Sequence, residues 1–398
     1  MRRLAWALAA PFLAWWGVWL VAVTVGAAVL GRRRPGTVAA GEDRLDVVVP
    51  AHNEAANLPA LLASLGRPGD TPGLGRVIVI ADHCSDDTAA VAAGLGAEVL
   101  SRDTGTRGKP AALRDGLAWY RATPTDAVGV AIIDADCRCS PGYATAMVAG
   151  LRRAPIVQSA NLVGDGDGDA AADGVAVGVG LRNLLRPAGL DRLGIPVMLS
   201  GTGMAVRADH VDRLAFGDHL TEDLVLSREL LLAGTPVGFV SDATVNSDAP
   251  PDRAALTAQR ERWEGGSLAA GAGVPRVFAR LAARRDWRGL VSLIDGAAPP
   301  LAPTAAAWGG LTVLAGLARL VTGRRSVLAP FLLAGTFLFA YLAIGIGALR
   351  GVGGLLRVAG SVPGFVAWKL GVYRGMGRGK GEWTATPRAA SNTPGGER

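Results

Sequence analysis

No charge interrupts the chain from Leu4 to Leu30, and these 27 residues exceed both the about 20 that cross a bilayer and the about 7 to 15 of a signal-peptide core. A retained N-terminal membrane helix is predicted. Two more apolar stretches come late, Ala302 to Val321 and Val327 to Leu349, and predict a helical hairpin, with Arg319 the one charge in the first. Gly351 to Gly371 then carries Arg357 and Pro363. Because a charge near mid-bilayer is costly, an interfacial helix is expected there rather than a fourth span. Between anchor and hairpin the periodicity changes. "RLDVVVPAHNE", "RVIVIADHCSDDT", "GAEVLS" and "AVGVAIIDAD" read as short strands, three of them ending in acids. Leu58, Leu61, Leu62 and Leu65 fall at i, i+3, i+4 and i+7, an amphipathic helix, and "KPAALRDGLAWYRA" is a second. Strands alternating with helices predict an α/β domain with an open, mostly parallel sheet and helices on both faces.

The expected organisation is an anchor at 1–34, a folded domain at 42–270, interfacial helices at 271–300, two membrane helices at 301–350, an interfacial amphipathic segment at 351–380 and a disordered tail at 381–398. The formal charge of +7 gathers near the apolar segments, in Arg32, Arg33 and Arg34 and again in Arg374, Arg378 and Lys380. That pattern places the domain and the C-terminus on the cytoplasmic side of a cell membrane. Arg319, Arg324 and Arg325 around the hairpin turn run against the scheme. The folded part has no basic patch interleaved with aromatics, so nucleic acid is not an expected partner. Three spans without a charged residue lining a path argue against a transporter. Cys84, Cys137 and Cys139 are odd in number, and the last two are too close to bridge, so all three read as reduced thiols.

In open α/β sheets ligands bind outside the carboxyl ends of the strands. That edge gathers Glu54, Asp82, Asp134 and Asp136. Asp134 and Asp136, at i and i+2 in "DAD", can share a hard divalent cation with substrate phosphates, although such a motif standing alone is far more often a solvated turn. Asp82 can accept hydrogen bonds from a nucleobase or ribose, while Ser85 or Asp86 would cap the following helix. In "LTEDLVLSRELLLAG", Thr221 is the expected N-cap, and Glu222 and Asp223 either complement the helix dipole or supply a general base. "SGTGMAVR" offers Gly201 and Gly203, for close approach to a ligand or for a turn. "GDGDGDAAADG", Gly164 to Gly174, lacks the glycine and glutamate of a calcium loop at Ala170 and Ala176 and reads as a solvated loop. In "QRERW", Gln259, Arg262 and Trp263 share one helix face, and guanidinium, amide and indole suit a diphosphate beside a sugar.

"VPAHNE", "ADHCSDDT", "GKPAAL", "DAD", "GTGMAV", "TEDL" and "QRERW", in this order and framed by membrane segments, resemble the membrane-bound family 2 glycosyltransferases. That group includes cellulose, chitin and hyaluronan synthases, ceramide glucosyltransferases and bacterial exopolysaccharide transferases. The resemblance covers roughly Asp46 to Trp263 and implies a glycosyltransferase A-type fold. It implies that Glu54, Asp82 and Lys109 face the nucleotide and Asp134 the nucleotide sugar. Asp136, with Asp134, would hold Mg²⁺ or Mn²⁺. Asp223 would be the catalytic base, with Glu222 as the fallback. Gln259 and Arg262 would hold the diphosphate, and Gly201, Thr202, Gly203 and Trp263 the acceptor end. His83 departs from the asparagine of many relatives. The implied reaction is an inverting transfer from a nucleoside diphosphate sugar, UDP-linked, to a saccharide or lipid acceptor at the membrane. The membrane region is much smaller than in polymer-exporting synthases, so an exporter or polysaccharide-assembly subunits are candidate partners. Two other readings share the motifs: a non-processive lipid glycosyltransferase and a membrane-anchored binding protein without catalysis.

Overall fold

The computed structural model describes residues 1–32, 41–164, 169–217, 222–250, 252–323 and 325–375. Arg33, Arg34, Thr221, Arg324, Arg378, Lys380 and the tail from 381 lie outside them. The chain divides into two compact units, one at 35–165 and 197–259 with the tail, the other at 1–34, 166–196 and 260–381. Residues 166–196 and 260–270, expected inside the folded domain, thus group with the apolar helices.

The first unit is built on eight strands: β1 Leu45–Ala51, β2 Leu74–Asp82, β3 Glu98–Arg102, β4 Gly129–Ile132, β5 Cys137–Cys139, β6 Ile156–Val163, β7 Met204–Arg207 and β8 Val237–Ser247. They form one sheet in the order β3-β2-β1-β4-β7-β6-β8-β5. β1, β2, β3 and β4 pair in parallel, as do β6 and β8, whereas β7 and β5 run antiparallel to their neighbours. β-branched runs such as Val47–Val49 and Val77–Ile80 suit strands buried on both faces. Alternate residues divide between those faces. Val47, Val49 and Val79 pack with Leu58, Leu61 and Met147, from α2 (Leu58–Leu65) and, beyond α3 (Thr88–Gly94), from α5 (Tyr143–Leu151). Val48 and Ile80 face Gly116 of α4 (Lys109–Ala122), where a Cβ would fall on the Ile80 side chain. Helices therefore cover both faces, as the sequence predicts.

In the second unit, α1 (Arg2–Gly31) is the predicted anchor, and α12 (Leu301–Thr322) and α13 (Ala329–Gly375) are the predicted hairpin. All three are long and apolar enough to cross a membrane. α13 is broken at Gly351, whose φ of 67° and ψ of −178° are not helical, so the chain bends where the apolar run ends. The second half of the acidic glycine-rich stretch is not a loop: Asp169 accepts hydrogen bonds from the Ala171 and Ala172 amides and starts α6 (Ala170–Gly180). Capping followed by alanines outweighs the glycines there. A π-helical turn, Leu181–Leu185, leads into α7 (Arg186–Arg192). Gly189 of α7 and Gly26 of α1 meet so closely that a Cβ on either would strike a carbonyl of the other helix. Small residues allow such crossings between apolar helices. Buried Arg186 pairs with Asp295 at 2.9 Å, on α11 (Trp287–Ala297), which follows α10 (Val274–Ala283), and lies 4.5 Å from the Trp19 ring.

Candidate active site

The site lies where β1, β2 and β4 end. At the close of β1, Asn53 has φ of 56°, and after β2, His83 has φ of 50°. Among residues with a side chain, asparagine, aspartate and histidine enter this left-handed region most readily. The conformation explains why a histidine can stand where the resembling family has asparagine. Asn53 Oδ1 accepts from the Ser85 amide at 2.7 Å, joining the two turns. Glu54 leads into α2: its carbonyl accepts from Leu58 N, and its Oε2 accepts from Asn57 Nδ2 at 2.5 Å. Asp86, one of the two expected caps, accepts from the Thr88 and Ala55 amides at 3.0 and 3.2 Å.

Asp82 is buried, and its carboxylate is held by the chain itself. Arg102, its register partner on β3, pairs with Oδ1, His83 Nδ1 lies 2.8 Å from the same oxygen, and Gly108 N donates to Oδ2 at 2.9 Å. Arg102 in turn donates to Asp115 and to the Thr106 carbonyl. Asp82 thereby fixes the loop that delivers Lys109. Arg102 escapes the sequence reading, because only the β2–β3 register brings it to Asp82.

Lys109 joins three motifs. Its Nζ lies 2.6 Å from Asp134 Oδ1 and donates to the Gly201 carbonyl at 2.7 Å. Gly201 and Gly203 have φ of 79° and 71°, so the glycines serve a turn, and between them Thr202 Oγ1 accepts from the Asp134 amide at 2.9 Å. From below, buried Gln158 donates to the Thr202 carbonyl at 2.8 Å, and buried Ser159 donates to the Gly203 carbonyl at 2.8 Å. Neither is flagged by the hydrophobic pattern; a polar pair inside "IVQSANLV" is the only signal.

α8 (Glu222–Ala233) brings Glu222 and Asp223 to the same carboxylate–ammonium group. Asp223 Oδ1 accepts from Leu224 N at 2.8 Å, and its Oδ2 faces Gly201. Burial opposes the Lys109 charge, but Asp134, Glu222 and Asp223 outweigh it and raise its pKa. Glu222 is pushed up to about 7, by burial first, against Lys109 and with help from Asp223 and Asp134. Asp136 lies beside the Cys137 thiol, which burial and the two aspartates hold neutral. All three cysteines are free thiols. On α9 (Arg253–Ala270), Gln259 closes the first unit, with its Oε1 shielded from solvent, while Arg262 and exposed Trp263 belong to the second.

The Glu222 shift carries a sign. The folded protein keeps this proton to about pH 7, whereas a free glutamate releases it near 4.5, so the folded state binds more protons in between. Stability is full below about 4.5 and falls as pH rises through about 7. At 1.36 kcal/mol per unit the loss is at most about 3 kcal/mol. Glu222→Gln should flatten the decline. Unfolding midpoints at pH 5 and 7.5 check this, and an undiminished decline in the variant contradicts a buried, protonated Glu222.

The profile of the family described as "Glycosyltransferase like family 2" matches residues 43–266, more than half of the 398. The chain belongs to that family and is a glycosyltransferase. No curated protein matches its sequence closely. Among solved structures, the mannosyltransferase PcManGT from Pyrobaculum calidifontis, in complex with GDP-Man and Mn²⁺, is 19% identical, covering 87% of this chain and 99% of its own at a TM-score of 0.50. Glucosyl-3-phosphoglycerate synthase from Mycobacterium tuberculosis, in complex with Mn²⁺, UDP and glucosyl-3-phosphoglycerate, is 22% identical over 55% of this chain and 76% of its own, with a TM-score of 0.36. S. aureus TarS 1–349 is 13% identical over 83% and 92%, with a TM-score of 0.41. The expected glycosyltransferase A-type fold is the fold observed.

Proposed function

We propose that the chain transfers a sugar, with inversion, from a nucleoside diphosphate sugar to a hydroxyl of a saccharide or lipid acceptor at the membrane, in the synthesis of cell-surface polysaccharide or glycolipid. The observation that carries this is the convergence of Asp134, Lys109, Glu222 and Asp223 on one group at the carboxyl edge of the sheet. Asp223 takes the proton of the acceptor hydroxyl. The oxygen forms its bond to the anomeric carbon on the face opposite the leaving group. The bond to the diphosphate breaks with its electron pair on the departing oxygen, so two substitution partners exchange at one carbon and the configuration inverts. Gln259 takes up charge growing on the diphosphate, and the Gly201–Gly203 turn receives the acceptor. Glu54 and Asp82 order the nucleotide end.

Among the described residues, no three His, Cys, Asp or Glu side chains gather as a metal site. A pair of aspartates two residues apart fits Mg²⁺ or Mn²⁺, which take one or two carboxylates and complete their shell with phosphates and water. Asp136 and Asp134 would hold the cation, which would neutralise charge on the diphosphate. PcManGT, of the same fold, is solved with Mn²⁺.

The test is radiolabelled transfer from a panel of UDP- and GDP-sugars into membrane lipid and polymer fractions by the purified chain. Label from one donor in either fraction is expected, with UDP-sugars preferred, and the fraction identifies the acceptor. Absence of transfer from every donor would refute the proposed donor class.

The same proposal places the catalytic unit and the C-terminus in the cytoplasm and the α12–α13 turn outside, following the arginines after α1 and late in the chain. A cysteine introduced at exposed Ser326, with Cys84 replaced, should react with a membrane-impermeant maleimide in intact cells. Labelling only after permeabilisation rejects the scheme.

A further inference from the structure

The unit of apolar helices buries charge that the transfer does not use. On α9, next to Gln259, the Arg260 guanidinium carbon lies 4.6 Å from the Trp263 ring. Its Nε and Nη2 are shielded from solvent and donate no hydrogen bond among the described residues. The carboxylate one helical turn on, Glu264, is buried and ion-paired to Lys369 of α13. The Lys369 ammonium is also 5.9, 5.2 and 5.8 Å from the rings of Phe365, Trp368 and Tyr373. Glu261, the other acid on this turn, lies against Gly375 instead. A third cation, exposed Arg182 on the π-helical turn, is near enough to repel Arg260. Burial lowers the Arg260 pKa, Glu264 raises it and Arg182 lowers it again, leaving it pushed down to about 10.

Arg260 and Lys369 thus share one carboxylate, Glu264, and two guanidinium nitrogens, shielded from solvent, have no acceptor among the described residues. Such groups are costly to bury without an acceptor. The oxygens of a phosphate match a guanidinium fork, and π-helical turns recur at functional sites. Lys369 stands on α13, which is long and apolar enough to span a membrane, and Trp368 and Tyr373 beside it are of the kind that settle at headgroup level.

We propose that Arg260, Arg182 and Lys369 form a phosphate site, whose natural occupant is the headgroup of an anionic membrane lipid. Its test needs no sugar donor, so it stands apart from the transferase reaction. The full chain in maltoside micelles, which contain no phosphate, is unfolded thermally with added phosphatidylglycerol or, separately, with inorganic phosphate at matched ionic strength. Phosphatidylglycerol near 100 times its Kd should raise the midpoint of the wild type by about 3 °C. Arg260→Gln should lose most of that shift, and inorganic phosphate should give little of it. A shift from inorganic phosphate as large as that from lipid would keep the site but assign it to a soluble phosphate ligand. Equal lipid shifts in wild type and variant, or none in the wild type, overturn the proposal. Should Arg260→Gln not fold, Arg182→Gln changes an exposed side chain and leaves the buried pair intact. It should at least halve the lipid shift, and an unchanged shift counts against the site.

Discussion

Asp223→Asn should leave donor affinity near its wild-type value while turnover falls by roughly 10²-fold or more. Asparagine keeps the size of the side chain and an oxygen able to accept from Leu224 N, so the start of α8 is preserved. What it loses is the capacity to take a proton. If Asp223 served only the helix terminus, the change should cost at most about 1 kcal/mol of stability and leave turnover nearly intact. Calorimetric donor binding and initial transfer rate on the same preparation separate the two. Near-normal turnover would move the base to Glu222, whose carboxyl is already pushed up to about 7 by burial, against Lys109 and with Asp223. A further readout is the pH profile: turnover governed by Glu222 should rise through about pH 7 and lose that step in Glu222→Gln.

The sequence announces the first half of the sheet and conceals the second, for a physical reason. Strands β1, β2 and β4 are parallel and buried on both faces, which writes them as apolar runs ending in acids, and their ends mark the site directly. β5 has three residues, and β7 has four and follows the glycine turn. β6 hides behind Gln158 and Ser159, polar residues tolerated in the core because each bonds to the Thr202–Gly203 backbone. Their partners lie more than 40 residues away, at |i−j| of 44, beyond the reach of any local periodicity. The same limit hides Arg102, whose link to Asp82 exists only in the β2–β3 register. Individual candidate residues were legible because the acids sit at strand ends. Their mutual arrangement was not: nothing in "GKPAAL" says that Lys109 reaches both Asp134 and the Gly201 carbonyl. The helices of the apolar unit were legible from length and hydropathy, but the membership of α6 and α7 in that unit was not, because a glycine contact such as Gly26–Gly189 leaves no hydrophobic signature.

Asp136→Ala should remove metal-dependent retention of the nucleoside diphosphate and lower turnover by about 10²- to 10³-fold, the size of effect seen when a group that stabilises developing charge is deleted. The prediction follows from how the two aspartates are engaged. Asp134 already shares Oδ1 with Lys109 at 2.6 Å, and its amide is fixed by Thr202, so it is positioned whether or not Asp136 is present. One carboxylate, half neutralised by an ammonium, is a poor partner for a divalent cation. Loss of the second should therefore weaken the cation and, through it, the phosphates. Folding should be little affected, since alanine leaves the buried Cys137 and the β5–β8 pairing in place. Nucleoside diphosphate binding measured with and without Mn²⁺, on wild type and variant, gives the answer. In the wild type the metal should tighten binding; in Asp136→Ala the two curves should coincide. Wild-type turnover that survives a chelator, or a variant whose binding still responds to Mn²⁺, takes the metal away from Asp136 and leaves Lys109 to neutralise the diphosphate.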